Sequence, residues 1–359
     1  MIEGNVKTAP VPYRQKEGLN FTSIKTFENS GPAIFYKEFV LGDRKEKLGA
    51  PILIGSLVDD MVLTYNGDLT LFQQHFDERY CKFDGVKSSA QAFVLADTLF
   101  DLLMETAVEG KVTADFKTAF IEAFEKVQAD GKYKGKTWEK GLEDFEATAR
   151  TYFDNRMNSI GKMVVDLNMI SVAENVSKQL LQDEFTAGLL TQINNPLLTK
   201  VELEFTMLEG KVKCKSEVDA VEVDRENKIL RPYDLKCTFD NEEFDYMYVK
   251  NRYYLQQAFY SIGLEQWKTE NDFADYTIAP FSFIVGDTSA NKRRPLIYKL
   301  SEKDKEMGIK GFSLRGNKYR GVEQLVQEIK WHMDMEIWNC SKESFDKNGK
   351  LELNVDYDS

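Results

Sequence analysis

Four pieces of the stretch from Val201 to Tyr260 decide the fold: VELEF (201–205), SEVDAVEVD (216–224), PYDLKCT (232–238) and YYLQQAFY (253–260). Val201, Leu203 and Phe205 alternate with Glu202 and Glu204, the period of a strand with one buried face. A second strand is expected over about 211–224. Asp224-Arg225-Glu226-Asn227 reads as a turn, and a third strand over about 229–238 returns beside the second. Every second side chain on a strand shares a face. Glu217 and Asp219 therefore point one way on the second strand, as do Asp234 and Lys236 on the third, and in a hairpin the two sets can meet. Tyr253, Gln256 and Tyr260 then fall on one face of a helix.

Aspartates held close together raise each other's pKa unless a cation lies between them. A hard divalent ion with oxygen ligands is the usual solution, and Mg²⁺ suits it. Lys236, two residues past Asp234, can reach a water or a developing negative charge beside such a metal. Metal, water and lysine make up a phosphodiester-hydrolysis apparatus. The plainer alternative is a solvated strand face on which acids and bases alternate.

The ordered set resembles the PD-(D/E)XK nucleases, in their RecB-like and RecE-like branch. Glu202 begins a matching E-x-x-F, and Asp219 stands where the family's first metal-binding aspartate belongs. Asp234-Leu235-Lys236 matches aspartate-x-lysine, although Cys237 precedes Thr238 where the family often has threonine directly. Tyr253, Gln256 and Tyr260 match the helix motif. The resemblance implies an α/β fold, a core sheet flanked by helices with a large helical insertion. It also implies Mg²⁺ or Mn²⁺ held by Asp219 and Asp234, and catalysis involving Lys236, Gln256 and Tyr260. The family further has glycine-threonine/serine-x-x-histidine, its histidine a metal ligand in many members. Here Gly55-Ser56 open that pattern at an expected helix start, and Asp59 takes the histidine's place. Asp59 and Glu202 are thus further candidate ligands, with Asp60 the alternative if it turns inward. Closely spaced C-terminal cysteines, which bind an iron–sulfur cluster in some relatives, are missing, so no cluster is expected.

The 359 residues carry a formal net charge of -12, against the basic average of a DNA-binding surface. Basic residues nonetheless cluster. One group is Lys132, Lys134 and Lys136, interleaved with Tyr133 and Trp138. Another is Lys292, Arg293 and Arg294, followed by Arg315 and Lys318. Such segments can follow a DNA strand; otherwise they are solvated loops. The four cysteines are far apart and suit a reducing cytoplasm. No apolar run is long enough to cross a bilayer, no h-region of a signal peptide is evident, and no G-x-x-x-x-G-K-[ST] loop for ATP is present.

Along the chain, residues 1–20 read as a lead-in. A short helix follows with Thr22 or Ser23 as N-cap, ended by Ser30-Gly31-Pro32. Lys45 and Lys47 belong to a charged loop. Residues 66–195 read as a helical subregion, with long helices over about 142–169 and 171–190, and 201–300 as the core sheet with the active-site region. The whole chain, 1–359, reads as one nuclease domain. Strands are expected at 276–285 and near Pro295, and the last residues read as a tail. Three functions stay open. The first is an exonuclease on linear duplex DNA, which among phage relatives pairs with a single-strand annealing protein and forms rings. The second is an endonuclease or flap-trimming repair enzyme, and the third a non-catalytic DNA-binding protein.

Overall fold

The computed structural model describes residues 13, 16–44, 49–82, 90–107, 113–192 and 195–351. Most of the expected N-terminal lead-in, Lys45, Lys47 and the end of the C-terminal tail lie outside them. The chain is mixed α/β, with a central sheet flanked by helices. Its contacts divide it into two compact units. One unit comprises Met1–Lys47, Val62–Gly67 and Val176–Ser359; the other comprises Leu48–Met61 and Asp68–Asn175.

The first unit holds the sheet: β1 (Leu197–Met207), β2 (Val212–Asp224), β3 (Ile229–Thr238), β4 (Thr277–Ile278), β5 (Ser282–Asp287) and β6 (Leu296–Lys299). The strand order is β1-β2-β3-β5-β6, with β4 also on β3. On β1, Val201, Leu203, Phe205 and Met207 are buried while Glu202 and Glu204 are exposed, as the alternation requires. The β2–β3 turn is held by Asp224, whose carboxylate accepts from the backbone N–H of Asn227 at 3.0 Å. β1, β2 and β3 pair antiparallel, whereas β3 and β5 pair parallel. The connection between β3 and β5 contains α2 (Tyr253–Glu270).

Helix α1 (Phe21–Phe35) is capped by Asn20, not by Thr22 or Ser23: the Asn20 side chain accepts from the Ser23 N–H, and the Ser23 hydroxyl accepts from the Asn20 N–H. This reciprocal box satisfies two donors that a Thr22 cap would leave open. Gly31, at φ 79°, kinks the helix without ending it. Helix α2 lies over the sheet, with the Phe259 ring 4.9 Å from that of Phe205. Helices α3 (Glu302–Lys310) and α4 (Val322–Met335) follow; Val322, Leu325, Val326 and Ile329 of α4 complete the apolar core. His332 is fully buried, its ring against Phe27 and Trp338.

The second unit packs helices Gln91–Glu105, Phe116–Ala129, Trp138–Thr148 and Arg150–Asn158 around Leu95, Leu99, Phe120, Phe124, Phe145 and Phe153. The helix expected over 142–169 breaks at Ala149 and gives way to a strand, Met163–Val165, parallel to Tyr80–Lys82. Gly55 and Ser56 lie inside helix Ala50–Asp59, whose cap is Gly49, so they do not open it. All four cysteines are free thiols, and burial pushes Cys214 up to about 12. No helix among the described residues is long and apolar enough to cross a membrane.

Candidate active site

The β2–β3 ladder runs from Asp224–Ile229 up to Ala220–Tyr233 and stops there. The next pair in that register would be Asp219 with Asp234. Instead the strands part, and β3 takes up β5 along Tyr233–Thr238. The Asp219 carboxylate bridges the gap, its Oδ2 accepting from the Leu235 backbone N–H at 2.9 Å. A side chain thus replaces a ladder bond at the point where both aspartates sit, leaving a notch lined by carboxylate oxygens.

Asp234 is buried at the base of the notch, with 2% of its surface exposed. Its Oδ2 meets the Lys236 ammonium, and its Oδ1 accepts from Gln256 Nε2 at 2.7 Å. The same amide group donates to the Tyr260 hydroxyl oxygen at 3.2 Å. The Lys236 ammonium also lies 4.9 Å from the centre of the Tyr253 ring. Asp234 is raised above the usual carboxylate range, chiefly by burial; the charge of Asp219 adds to this and that of Lys236 opposes it. For Lys236, burial alone would lower the pKa, but Asp234, Tyr253 and Asp219 outweigh it and hold the ammonium charged. Tyr260 is raised by burial, then by Asp234 and Asp219. Gln257, one residue on, donates to the carbonyl oxygens of Tyr254 and Asp304 and faces a different task.

On the other side of Asp219, Lys200 of β1 donates to Oδ1 at 3.1 Å and lies 3.7 Å from Glu217. Lys200 has φ 52° and stands between the Thr199–Ala220 and Val201–Val218 pairs, opposite Asp219. Glu202 pairs in register with Glu217, but its carboxylate meets Lys16 at 2.7 Å and is 41% exposed. Tyr13 is raised by burial, then by the charges of Glu217 and Glu202. Asp59 ends helix Ala50–Asp59 in the second unit and is half-buried. Asp60 is the residue that turns inward, and there it accepts from Arg79 and, at 2.6 Å, from the Tyr80 hydroxyl.

The donor chemistry can be tested against a metal. Among the described residues no three Asp, Glu, His or Cys side chains gather as a ready-made metal cluster. Mg²⁺ does not need one, since it commonly takes one or two carboxylates and fills its shell with water and substrate phosphate. Asp219 and Asp234 supply that number. One buried atom beside them, Gln256 Oε1, lacks a hydrogen bond, the kind of orphan that a water on such an ion satisfies, while Asp234 Oδ2 is held by the Lys236 ammonium. The residues fit Mg²⁺ or Mn²⁺ in this two-carboxylate form.

The basic segments differ among themselves. Lys134 and Lys136 are exposed and Lys132 is half-buried, whereas Tyr133 is a core residue, its hydroxyl on Asp144 at 2.8 Å and its ring 5.3 Å from Phe124. Tyr133 therefore has no free face for a base. Arg293 is paired with Asp240, and Arg294 with Asp183 and Glu184 at 2.7 and 2.8 Å, so both guanidinium charges are matched inside the fold. Lys292 is exposed, as are Arg315 and Lys318 on the hairpin Gly311–Leu314/Asn317–Arg320.

Sequence reasoning missed Lys200 and a second cation, Lys25 of α1. Burial, then the charges of Lys236 and Arg252, hold Lys25 below the usual lysine range. The signal for Lys200 was available: working out the β1–β2 register from Phe205 and Cys214 would have set it opposite Asp219. Lys25 had none, because it is close to Lys236 only through tertiary packing.

No protein-family model matches the chain, and no curated protein is similar enough to match it. Among solved structures, a protein from Eubacterium rectale that bears the provisional name of an exonuclease aligns over 95% of this chain and 91% of its own, with a TM-score of 0.43 and 12% identity. A likeness at that level carries no argument about activity.

Proposed function

We propose that this chain is a metal-dependent deoxyribonuclease of the PD-(D/E)XK type that degrades linear double-stranded DNA from its ends. The reading rests on one arrangement: Asp234, buried, clamped between Lys236 and Gln256, with Asp219 reaching across the parted strands to Leu235. Asp219 and Asp234 would hold Mg²⁺ or Mn²⁺. When bound, the ion would polarise the scissile phosphate and make a neighbouring water more acidic. Lys236, kept cationic by its surroundings, orients that water and steadies charge developing on the phosphoryl oxygens. Gln256 holds Asp234 in place and, through its free Oε1, positions a water donor, while Tyr260 closes the back of the notch. Lys200 must give up Asp219 Oδ1 for the ion to enter. Glu202 remains an accessory ligand in this proposal. The partners are DNA, a single-strand annealing protein and further copies of the chain, in a reducing cytoplasm that would keep the four thiols free.

The test is purified protein on linear duplex, circular duplex and single-stranded DNA, with Mg²⁺, Mn²⁺ or EDTA, beside Lys236→Ala. Metal-dependent loss of linear duplex alone is the expected result. Cutting of the circle would move the assignment to an endonuclease, and no cleavage by folded protein would reduce it to a DNA-binding module.

A further inference from the structure

A groove of about 780 Å³ opens beside the N-terminus of α2, between helix Phe244–Lys250 and the hairpin Gly311–Leu314/Asn317–Arg320. Its wall is aromatic. The rings of Phe312 and Tyr319 stack 4.9 Å apart at 12°, and Tyr254 meets Phe312 edge-on at 5.0 Å. Tyr246, also in the lining, is 60% exposed. Tyr254 is only 1% exposed, yet its hydroxyl has no hydrogen-bond partner. A lining phenol thus offers a donor with nothing to receive it, a cost that an acceptor in the groove would remove.

The lining carries the cations Lys250, Arg252 and Arg315 against the carboxylates Asp245 and Asp304. Arg252 sits over the Tyr319 ring at 5.3 Å, and its Nε donates to the Asn29 amide oxygen at 3.2 Å. Among the described residues neither Arg252 nor Lys25 forms an ion pair with a carboxylate, unlike Arg293, Arg294 and Arg320. Lys25 stands one turn before Asn29 on the same face of α1, the side that Arg252 contacts, and Tyr253, the residue after Arg252, has its ring 4.9 Å from the Lys236 ammonium, so the groove and the notch meet at the N-terminus of α2. Aromatic rings for stacking, a donor for the acceptor edge of a base, and unmatched cations for a phosphate are together the requirements of one nucleotide unit.

Building on the nuclease reading, we propose that this groove binds an unpaired nucleotide of the DNA strand being cut, its base on the aromatic wall and its phosphate at Arg252 and Lys25. The strand next to the scissile phosphate would leave the duplex to enter the groove, where any base can stack, so the site is indifferent to sequence.

The experiment uses a short single-stranded oligonucleotide carrying 2-aminopurine at one end, with the full chain in EDTA so that no cleavage intervenes. Stacking in the groove should quench the terminal fluorophore. Tyr246→Ala, at an exposed position that leaves the fold intact, and Tyr319→Leu should abolish the quench and weaken binding about fivefold or more. Arg252→Gln should weaken binding and flatten its salt dependence. An abasic end bound as tightly as the intact one, or Tyr246→Ala binding like wild type, would overturn the proposal. Free dAMP competing at the oligonucleotide's own concentration would overturn it too, by making the ligand a free nucleotide. Quenching that depends on Tyr246 in a protein that cleaves nothing would keep the groove and remove the nuclease reading. Cleavage without any groove effect would do the reverse.

Discussion

The Asp219 carboxylate accepts the Leu235 backbone N–H at 2.9 Å where the β2–β3 ladder has already ended. One residue thereby holds the parted strands and offers its remaining oxygen, Oδ1, to a cation, at present the ammonium of Lys200. The two jobs can be separated. Asp219→Asn keeps an acceptor for Leu235 and drops the charge; Asp219→Ala drops both. Both variants should lose Mn²⁺ binding, read by electron paramagnetic resonance of the free ion. Only Asp219→Ala should also lose stability, by roughly 1 kcal/mol for the orphaned N–H. Wild-type Mn²⁺ affinity in Asp219→Asn would remove this residue from the metal seat.

Lys236→Ala is expected to bind DNA nearly as wild type and to cleave about 10²-fold or more slowly. Lys236→Arg should not restore the rate, because a wide planar guanidinium cannot occupy the point position of an ammonium beside Asp234. Single-turnover rates at saturating enzyme measure both. A loss of only a few fold would take proton handling away from Lys236.

Asp234 makes stability depend on pH in a defined direction. Its folded pKa is raised, so its contribution is complete below the unfolded value of about 4. As pH rises, the unfolded chain ionises first while the native state holds its proton, and stability falls until the raised folded value is passed. Metal-free wild type should therefore lose stability relative to Asp234→Asn between about pH 4 and neutrality. Urea titrations at several pH values would show it. Parallel curves would mean that the carboxylate is ionised throughout.

Gly263 lets α2 approach the sheet. A Cβ there would stand 2.8 Å from the Phe205 ring and 3.0 Å from Leu203. Phe205 is itself backed by Phe259, so it has little room to yield. Gly263→Ala should cost about 1–3 kcal/mol in urea unfolding despite the better helix propensity of alanine. A neutral or stabilising result would show that the helix can lift without loss.

Replacing Lys132, Lys134 and Lys136 together should weaken DNA binding and lower the slope of log K against log salt by about 0.9 for each phosphate no longer neutralised. Thermal stability should hardly move, since these are surface charges. An unchanged slope would return the segment to ordinary solvated surface.

The hairpin was legible because it is written in local terms. The alternation of Val201, Leu203 and Phe205, the Asp224–Asn227 turn and the spacing of Tyr253, Gln256 and Tyr260 all act over a few residues. That spacing singles out Gln256, whose amide meets Asp234, whereas the neighbouring Gln257 meets the Asp304 carbonyl. Features set by distant parts of the chain were not legible. Asn20 took the cap because the reciprocal bond with Ser23 wins over a lone hydroxyl. Tyr133, amid lysines and glycines, looked like a loop aromatic and proved to be core, which depends on Phe124 and Asp144. The charges of Arg293 and Arg294 looked available because their acids, at 240 and 183–184, are far away in sequence.

The parallel pairing of β3 with β5 also has a consequence for the order of assembly. Asp234 and Lys236 lie on a strand whose second edge is closed by Phe283 and Val285, and these are synthesised only after all of α2. While the chain is growing, the β1–β2–β3 meander can form with that edge bare, an apolar template for any other strand it meets. Ribosomal pausing between Glu270 and Ser282 would prolong that exposure, and translation speed through this short window would govern how much of the protein reaches its sealed form.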